Sequence, residues 1–196
     1  MLASNPSSDI PEVAFTNPQD WVDWLEKNHS SSAGVWLKIA KKASGLESPT
    51  YAEALEVALC YGWIDGQKRP YDEVFWLQKF TPRGVKSIWS KVNKRKALSL
   101  IEAGWMKPAG LAAIEKAKKN GQWDAAYDSQ SKASMPEDLQ AALDGNPKAK
   151  AFFATLNSVN RYAILFRVQT AKKAQTRSKR IKQFIGMLEK GQKIYP

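Results

Sequence analysis

Prolines and glycines punctuate this chain at intervals that leave room for little except short helices. Pro18, Pro108, Pro136 and Pro147 stand where helices can begin, and Gly62, Gly104 and Gly121 where helices can end. Proline suits the first helical position because its missing N–H would have no partner there, and glycine suits the exit because it adopts positive φ without strain. Between these stops the apolar residues recur with a helical period. After Asn17-Pro18, Trp21, Trp24, Leu25 and Asn28 share one face while Asp20, Asp23, Glu26 and Lys27 lie on the other. Thr50-Tyr51-Ala52-Glu53 has the capping-box pattern and opens a helix whose apolar side is Tyr51, Ala54, Leu55, Ala58 and Leu59. Beyond Pro82 helices are predicted over 90–103 and 108–120, then after Pro136 and after Pro147. Two longer ones follow: one runs through Tyr162, Ile164, Leu165, Phe166 and Val168, and the last, from near Thr176, turns Ile181, Phe184, Ile185 and Leu188 inward.

Strand patterns are confined to the N-terminal half. Residues 35–39 alternate, with Val35, Leu37 and Ile39 facing a core. Residues 63–68 and 74–80, separated by Pro70-Tyr71-Asp72, read as two antiparallel strands, with Asp65-Gly66 an alternative position for the tight turn. The fold class is therefore α+β, mostly helical with a small antiparallel β-sheet in the N-terminal half. Its organisation reads as a flexible N-terminus (1–14), an α+β core containing a Trp-rich hairpin (15–130), and a basic helical segment packed on that core (131–196).

Charge separates these parts. Of 30 Lys/Arg and 19 Asp/Glu, residues 1–147 hold 18 of each, so the whole net charge of +11 resides in residues 148–196, where Glu189 is the single acid. Such asymmetry points to a surface with its own task, with nucleic acid or an acidic protein surface as the anionic partner. Eight tryptophans and 43% hydrophobic residues describe a folded chain. One cysteine, Cys60, forbids an intramolecular disulfide, and no Cys/His cluster offers a zinc site. No metal or cofactor is expected, there being no phosphate- or dinucleotide-binding glycine pattern either. Residues 1–14 lack the basic start and apolar run of a signal peptide, and no stretch is long enough to span a bilayer, so a cytoplasmic protein is expected.

Several strings are recognisable together. Tyr51-Ala52-Glu53-Ala54-Leu55, Ala58-Leu59-Cys60-Tyr61-Gly62-Trp63-Ile64-Asp65-Gly66-Gln67, Phe80-Thr81-Pro82-Arg83 and Ser87-Ile88-Trp89-Ser90-Lys91-Val92-Asn93 resemble the YdeI/OmpD-associated family, whose members are labelled bacteriocin-protection proteins. Gly104, Met106, Pro108-Ala109-Gly110-Leu111, Gly121-Gln122-Trp123, Ala171-Lys172, Thr176-Arg177 and Arg180-Ile181 extend the resemblance over nearly all of the chain after Phe15. It implies a role in envelope stress or antimicrobial-peptide resistance in bacteria and supplies no reaction.

The residues themselves suggest two sites. In a strand over 63–67, Trp63, Asp65 and Gln67 project from one face, and Arg83 could approach Asp65 to pair with it or to share a ligand. With Trp63 and Trp89 as stacking surfaces and Ser87 and Asn93 as hydrogen-bonding groups, this makes a small-molecule pocket, or the pocket of an enzyme of unknown reaction. The same residues equally compose an intramolecular clamp. Cys60, near Glu53 and Glu56 at a helix C-terminus, is a poor thiolate, and His29, ending the first helix, suits capping or packing better than catalysis. The second site is an anion-binding surface formed by Lys172, Lys173, Arg177, Lys179, Arg180 and Lys182. It reads equally as a solvated helix face. Exposed aromatics for base stacking are not expected in this tail, since Phe184 and Tyr162 fall on apolar sides.

Overall fold

The computed structural model describes residues 10–196, and the chain separates into two units, one comprising the residues up to Ser87 together with Asn93–Asp124, the other Ile88–Val92 and Ala125–Pro196. Among the described residues are four strands and eight α-helices. The expected flexible N-terminus falls largely on residues 1–9, which lie outside the described residues. Its last part differs from expectation, because Glu12–Ala14 is a strand, β1. Three residues are too few for a visible alternation, and this strand exists only because β2 (Val35–Ala40) offers it a parallel edge, Glu12 opposite Trp36.

In the first unit, β2 pairs antiparallel with β4 (Phe75–Pro82), and β4 with β3 (Trp63–Pro70), giving the order β1-β2-β4-β3. The sheet is thus mixed and not purely antiparallel, the parallel pair being the one the sequence does not announce. Asp65-Gly66 lies inside β3, so the turn is the one at 71–74, where Asp72 accepts from the amides of Val74 and Phe75 at 2.8 and 2.6 Å. A register shift between Asp65 and Lys68 interrupts the alternation of β3. On β2, Val35, Leu37 and Ile39 are buried and their neighbours half-buried, as period-two patterning requires.

Helix α1 (Pro18–Asn28) begins where Asn17 accepts from the Asp20 amide at 3.0 Å, and α2 (Tyr51–Cys60) begins in the full capping box of Thr50 and Glu53. Trp21 and Leu25 of α1 and Ala54, Leu55, Ala58 and Leu59 of α2 are buried, whereas Tyr51 is 38% exposed and leaves the apolar side assigned to it. The ends of α2 and α4 (Pro108–Lys119) meet at two glycines. Gly62, at φ +73°, lies against Ala109, and a Cβ on Gly110 would collide with the Cys60 carbonyl oxygen. Helix α3 (Lys91–Glu102) starts in the second unit and continues in the first.

The second unit is helical: α5 (Glu137–Asp144), α6 (Pro147–Thr155), α7 (Ser158–Gln169) and α8 (Ala174–Glu189). Leu139, Leu143, Ile164, Val168, Ile181, Phe184 and Leu188 form its core. Asn146 and Asn157 cap α6 and α7 by accepting from the amides of Ala149 and Asn160. A parallel bridge between Ser90 and Tyr127 ties in the segment Ile88–Val92.

Two helical glycines should respond oppositely to the same change. Gly110→Ala drives a methyl into backbone and should destabilise by about 1–3 kcal/mol. Gly186→Ala, in α8 with nothing within 4 Å of its added Cβ, should stabilise by about 0.5–1 kcal/mol. Urea denaturation followed by circular dichroism measures both, and equal effects would contradict the packing at Gly110.

Candidate functional site

The hairpin residues are placed by strand pairing. Trp63 opens β3 opposite Pro82, the last residue of β4, and the Arg83 amide that follows donates to the Gly62 carbonyl at 3.0 Å. Trp63 is 1% exposed. Its ring meets Trp21 and Trp24 edge-on at 6.5 and 5.8 Å, and its Nε1 donates to the His29 carbonyl at 3.0 Å. Trp89 is buried as well and belongs to the second unit. Both indoles are packed against protein, as large aromatic side chains usually are. The Asp65 carboxylate accepts from the Tyr51 hydroxyl at 2.8 Å, a bond between β3 and α2. Ser87 lies in a turn in which its amide donates to the Gly84 carbonyl at 3.0 Å, and Asn93 sits on the first turn of α3.

His29 caps α1: its amide and its Nδ1 both engage the Leu25 carbonyl, and its ring lies 5.3 Å from that of Tyr61. Burial first, with Glu56 nearby, pushes the Cys60 thiol up to about 11, Lys107 only partly opposing. The thiol is un-ionised near neutrality, which leaves it a small packing residue.

An opening that the sequence does not announce lies in the first unit, between α1, α2 and the turn joining α3 to α4. It has a volume of about 620 Å³ and is walled by Val22, Val57, Cys60, Tyr61, Leu100 and Trp105 with Glu53, Glu56 and Lys107 among its polar members. Trp105 is 66% exposed. The rim charges are largely matched, Lys96 pairing with Glu56 and Lys107 standing 3.9 Å from Glu26, which takes the Tyr61 hydroxyl. Burial and the Glu26 contact hold the Tyr61 phenol well above its ordinary value, so it remains a donor. The groove residues come from three separated segments, and no local pattern in any one of them signals it.

Residues 13–113, just over half of the chain, match a family model described as Domain of unknown function (DUF8412). The chain belongs to that family. Residues 132–191 match the model described as Bacteriocin-protection, YdeI or OmpD-Associated, the family that the sequence strings resemble. No curated protein and no solved structure gives a significant match. The strings over 51–67 and 80–93 thus fall under the first model, and the YdeI/OmpD-associated segment is the one that comprises α5 to α8.

Within the YdeI/OmpD-associated segment the six basic residues divide into two kinds. Arg177 is committed, with Nε and Nη2 gripping both oxygens of Asp138 at 2.5 and 2.7 Å and Nη1 donating to the Val168 carbonyl at 2.9 Å. Arg180 donates through Nη1 to the Arg167 carbonyl. Both guanidiniums join α8 to α7 or α5, because a forked donor satisfies carbonyls at helix ends better than lysine can. Lys172, Lys173, Lys179 and Lys182 are exposed, Lys179 and Lys182 lying opposite the buried stripe of Ile181, Phe184 and Leu188. Among the described residues no helix is long and apolar enough to cross a membrane, and no group of three or more His, Cys, Asp or Glu could hold a metal ion.

The Arg177 contact holds the Asp138 carboxyl below its ordinary value. A depressed folded value contributes stability above the ordinary carboxylate pKa of about 4, and that stability disappears as pH falls through the lower folded value. Asp138→Asn should therefore lower Tm at pH 7, with the gap to the parent closing below about pH 4. A gap constant from pH 7 to pH 3 would show that the ion pair does not contribute.

Proposed function

We propose that this protein is a cytosolic binding module with a protective role in stress, in which the second unit holds an anionic macromolecule on the outward face of α8. The observation that carries this reading is the segregation of charge on that helix. Its apolar stripe is consumed by the core of the unit, while Lys179 and Lys182 on the helix, Lys172 and Lys173 just before it and Lys190 just after it face solvent. The second unit as a whole holds 14 Lys/Arg and five Asp/Glu. Like charges crowded on one face repel, and an anionic polymer relieves that repulsion while releasing counterions. The match to the YdeI/OmpD-associated model over these helices supports a shared purpose for the segment, and bacteriocin protection enters the reading from that description. A chain whose single thiol is buried and un-ionised suits a reducing compartment.

A salt titration by fluorescence anisotropy tests it, with a labelled duplex and a labelled acidic polypeptide as the two anion sources. Log affinity should fall with log salt at about −0.9 per phosphate engaged, and Lys179→Glu with Lys182→Glu should flatten the slope by about 2. Affinity that ignores both salt and charge reversal would overturn the proposal.

A second reading is favoured by the groove beside Trp105: the first unit takes up a small apolar ligand there, since an opening of about 620 Å³ falls in the size range of small-molecule sites. The dye 8-anilinonaphthalene-1-sulfonate should brighten on the parent protein, and Val57→Glu, placed in the groove wall, should abolish the brightening. Unchanged emission in that variant would exclude the groove.

A further inference from the structure

The last residues of the chain build a feature that the charge pattern does not contain. Asn160, 1% exposed on α7, accepts from the Tyr195 amide at 2.9 Å and donates to the Tyr195 carbonyl at 3.3 Å. One buried amide side chain thus holds both backbone groups of a residue that lies beyond every helix. Held there, Tyr195 sets its ring 5.7 Å from the Arg167 guanidinium and remains 44% exposed.

Tyr195, Arg167, Tyr162, Phe166, Val159 and Gln130 line a cleft of about 270 Å³. That is below the range of drug-sized sites and suits a single planar ring system. Its aromatic wall is braced from behind. Phe166 packs edge-on against Tyr127 at 4.9 Å and tilted against Tyr162 at 5.9 Å, while the Tyr162 hydroxyl donates to the Asp128 carbonyl at 2.8 Å. The Asp128 carboxylate is itself held by Lys91 at 2.8 Å and by Gln169, and among the described residues none that lines the cleft is acidic. Arg180 of α8 donates to the Arg167 carbonyl, so the basic helix meets the cleft wall at that turn.

An exposed aromatic ring, a guanidinium and a cationic helix together have the chemistry of single-strand recognition, in which bases stack on rings and phosphates meet lysine and arginine. We propose that this cleft stacks a base of single-stranded nucleic acid whose phosphates run along the lysines of α8. The inference rests on the polyanion-binding reading and narrows its partner. A duplex conceals its base faces, and an acidic protein surface has no planar rings spaced between its charges; either would leave the cleft unused.

The test is anisotropy of the full chain with a labelled 12-nucleotide oligothymidylate, beside the same-length duplex and linear polyphosphate as a competitor without bases. Tyr195→Ala should weaken the single strand about 5- to 150-fold, the change expected for one stacked base, and leave polyphosphate competition unaltered. Tyr195→Phe should bind the single strand as the parent does. Val159→Asp, at a position 52% exposed, provides a variant that leaves the core untouched and should also weaken the single strand. Single-strand affinity unchanged in both Tyr195→Ala and Val159→Asp, with charge reversal on α8 still damaging, would overturn the cleft and leave the polyanion reading intact. Preference for the duplex would overturn the cleft likewise, and failure of all three polyanions and of the acidic polypeptide to bind at low salt would overturn both.

Discussion

Trp21 is the residue on which the first unit is assembled. Fully buried, it lies 5.4 Å from the Trp24 ring, 5.6 Å from Phe80, 5.9 Å from Phe15 and 6.5 Å from Trp63. Its Nε1 donates to the Ala54 carbonyl at 3.1 Å. A single indole therefore joins α1, α2, β3 and β4 with both kinds of contact available to it, apolar area and one directed hydrogen bond. Trp24 and Trp63 complete the same cluster, so Trp63, one of the two indoles expected to present a stacking surface, is packed within this core. The groove then forms where this packing stops, at the far side of α2, with Trp105 outside the cluster.

The second unit solves a different problem. It has helices and few large aromatics in its core, and it holds them with leucine, isoleucine and valine together with two committed arginines. Using Arg177 and Arg180 as cross-links between helices leaves lysine as the residue of the open face. The division follows the chemistry of the side chains: a planar fork suits fixed carbonyl and carboxylate partners, while a flexible ammonium remains hydrated and available. The basic character of the segment is thus part structure and part surface, and only the surface part can meet a partner.

Much of the element map was legible beforehand because capping is local. Asn17, Thr50 with Glu53, and the helix-opening prolines act within one turn, so their meaning survives without knowledge of the fold. β1 was not legible, since three residues acquire strand geometry only from a partner 24 positions away. The register shift in β3 was hidden too, and with it the alternation of the residues that follow Asp65, because a bulge depends on both strands. For the sites, side-chain type indicated which residues carry charge or rings, and the position of His29 at a helix end indicated its cap, whereas the burial that raises the Cys60 thiol depends on the fold.

Composition and local pattern determined by themselves the α+β class, the start of most helices, and the concentration of positive charge at the C-terminal end. These depend on interactions within a few residues or on simple counting. Tertiary structure alone decided which aromatic rings are buried and which open, that Arg177 and Arg180 are spent inside the unit, and that Asn160 seats Tyr195 beside Arg167. The reason is that accessibility and partnership belong to pairs of residues distant in the chain. A side chain's chemistry is written at its own position, but what it touches is set by the segments the fold brings against it.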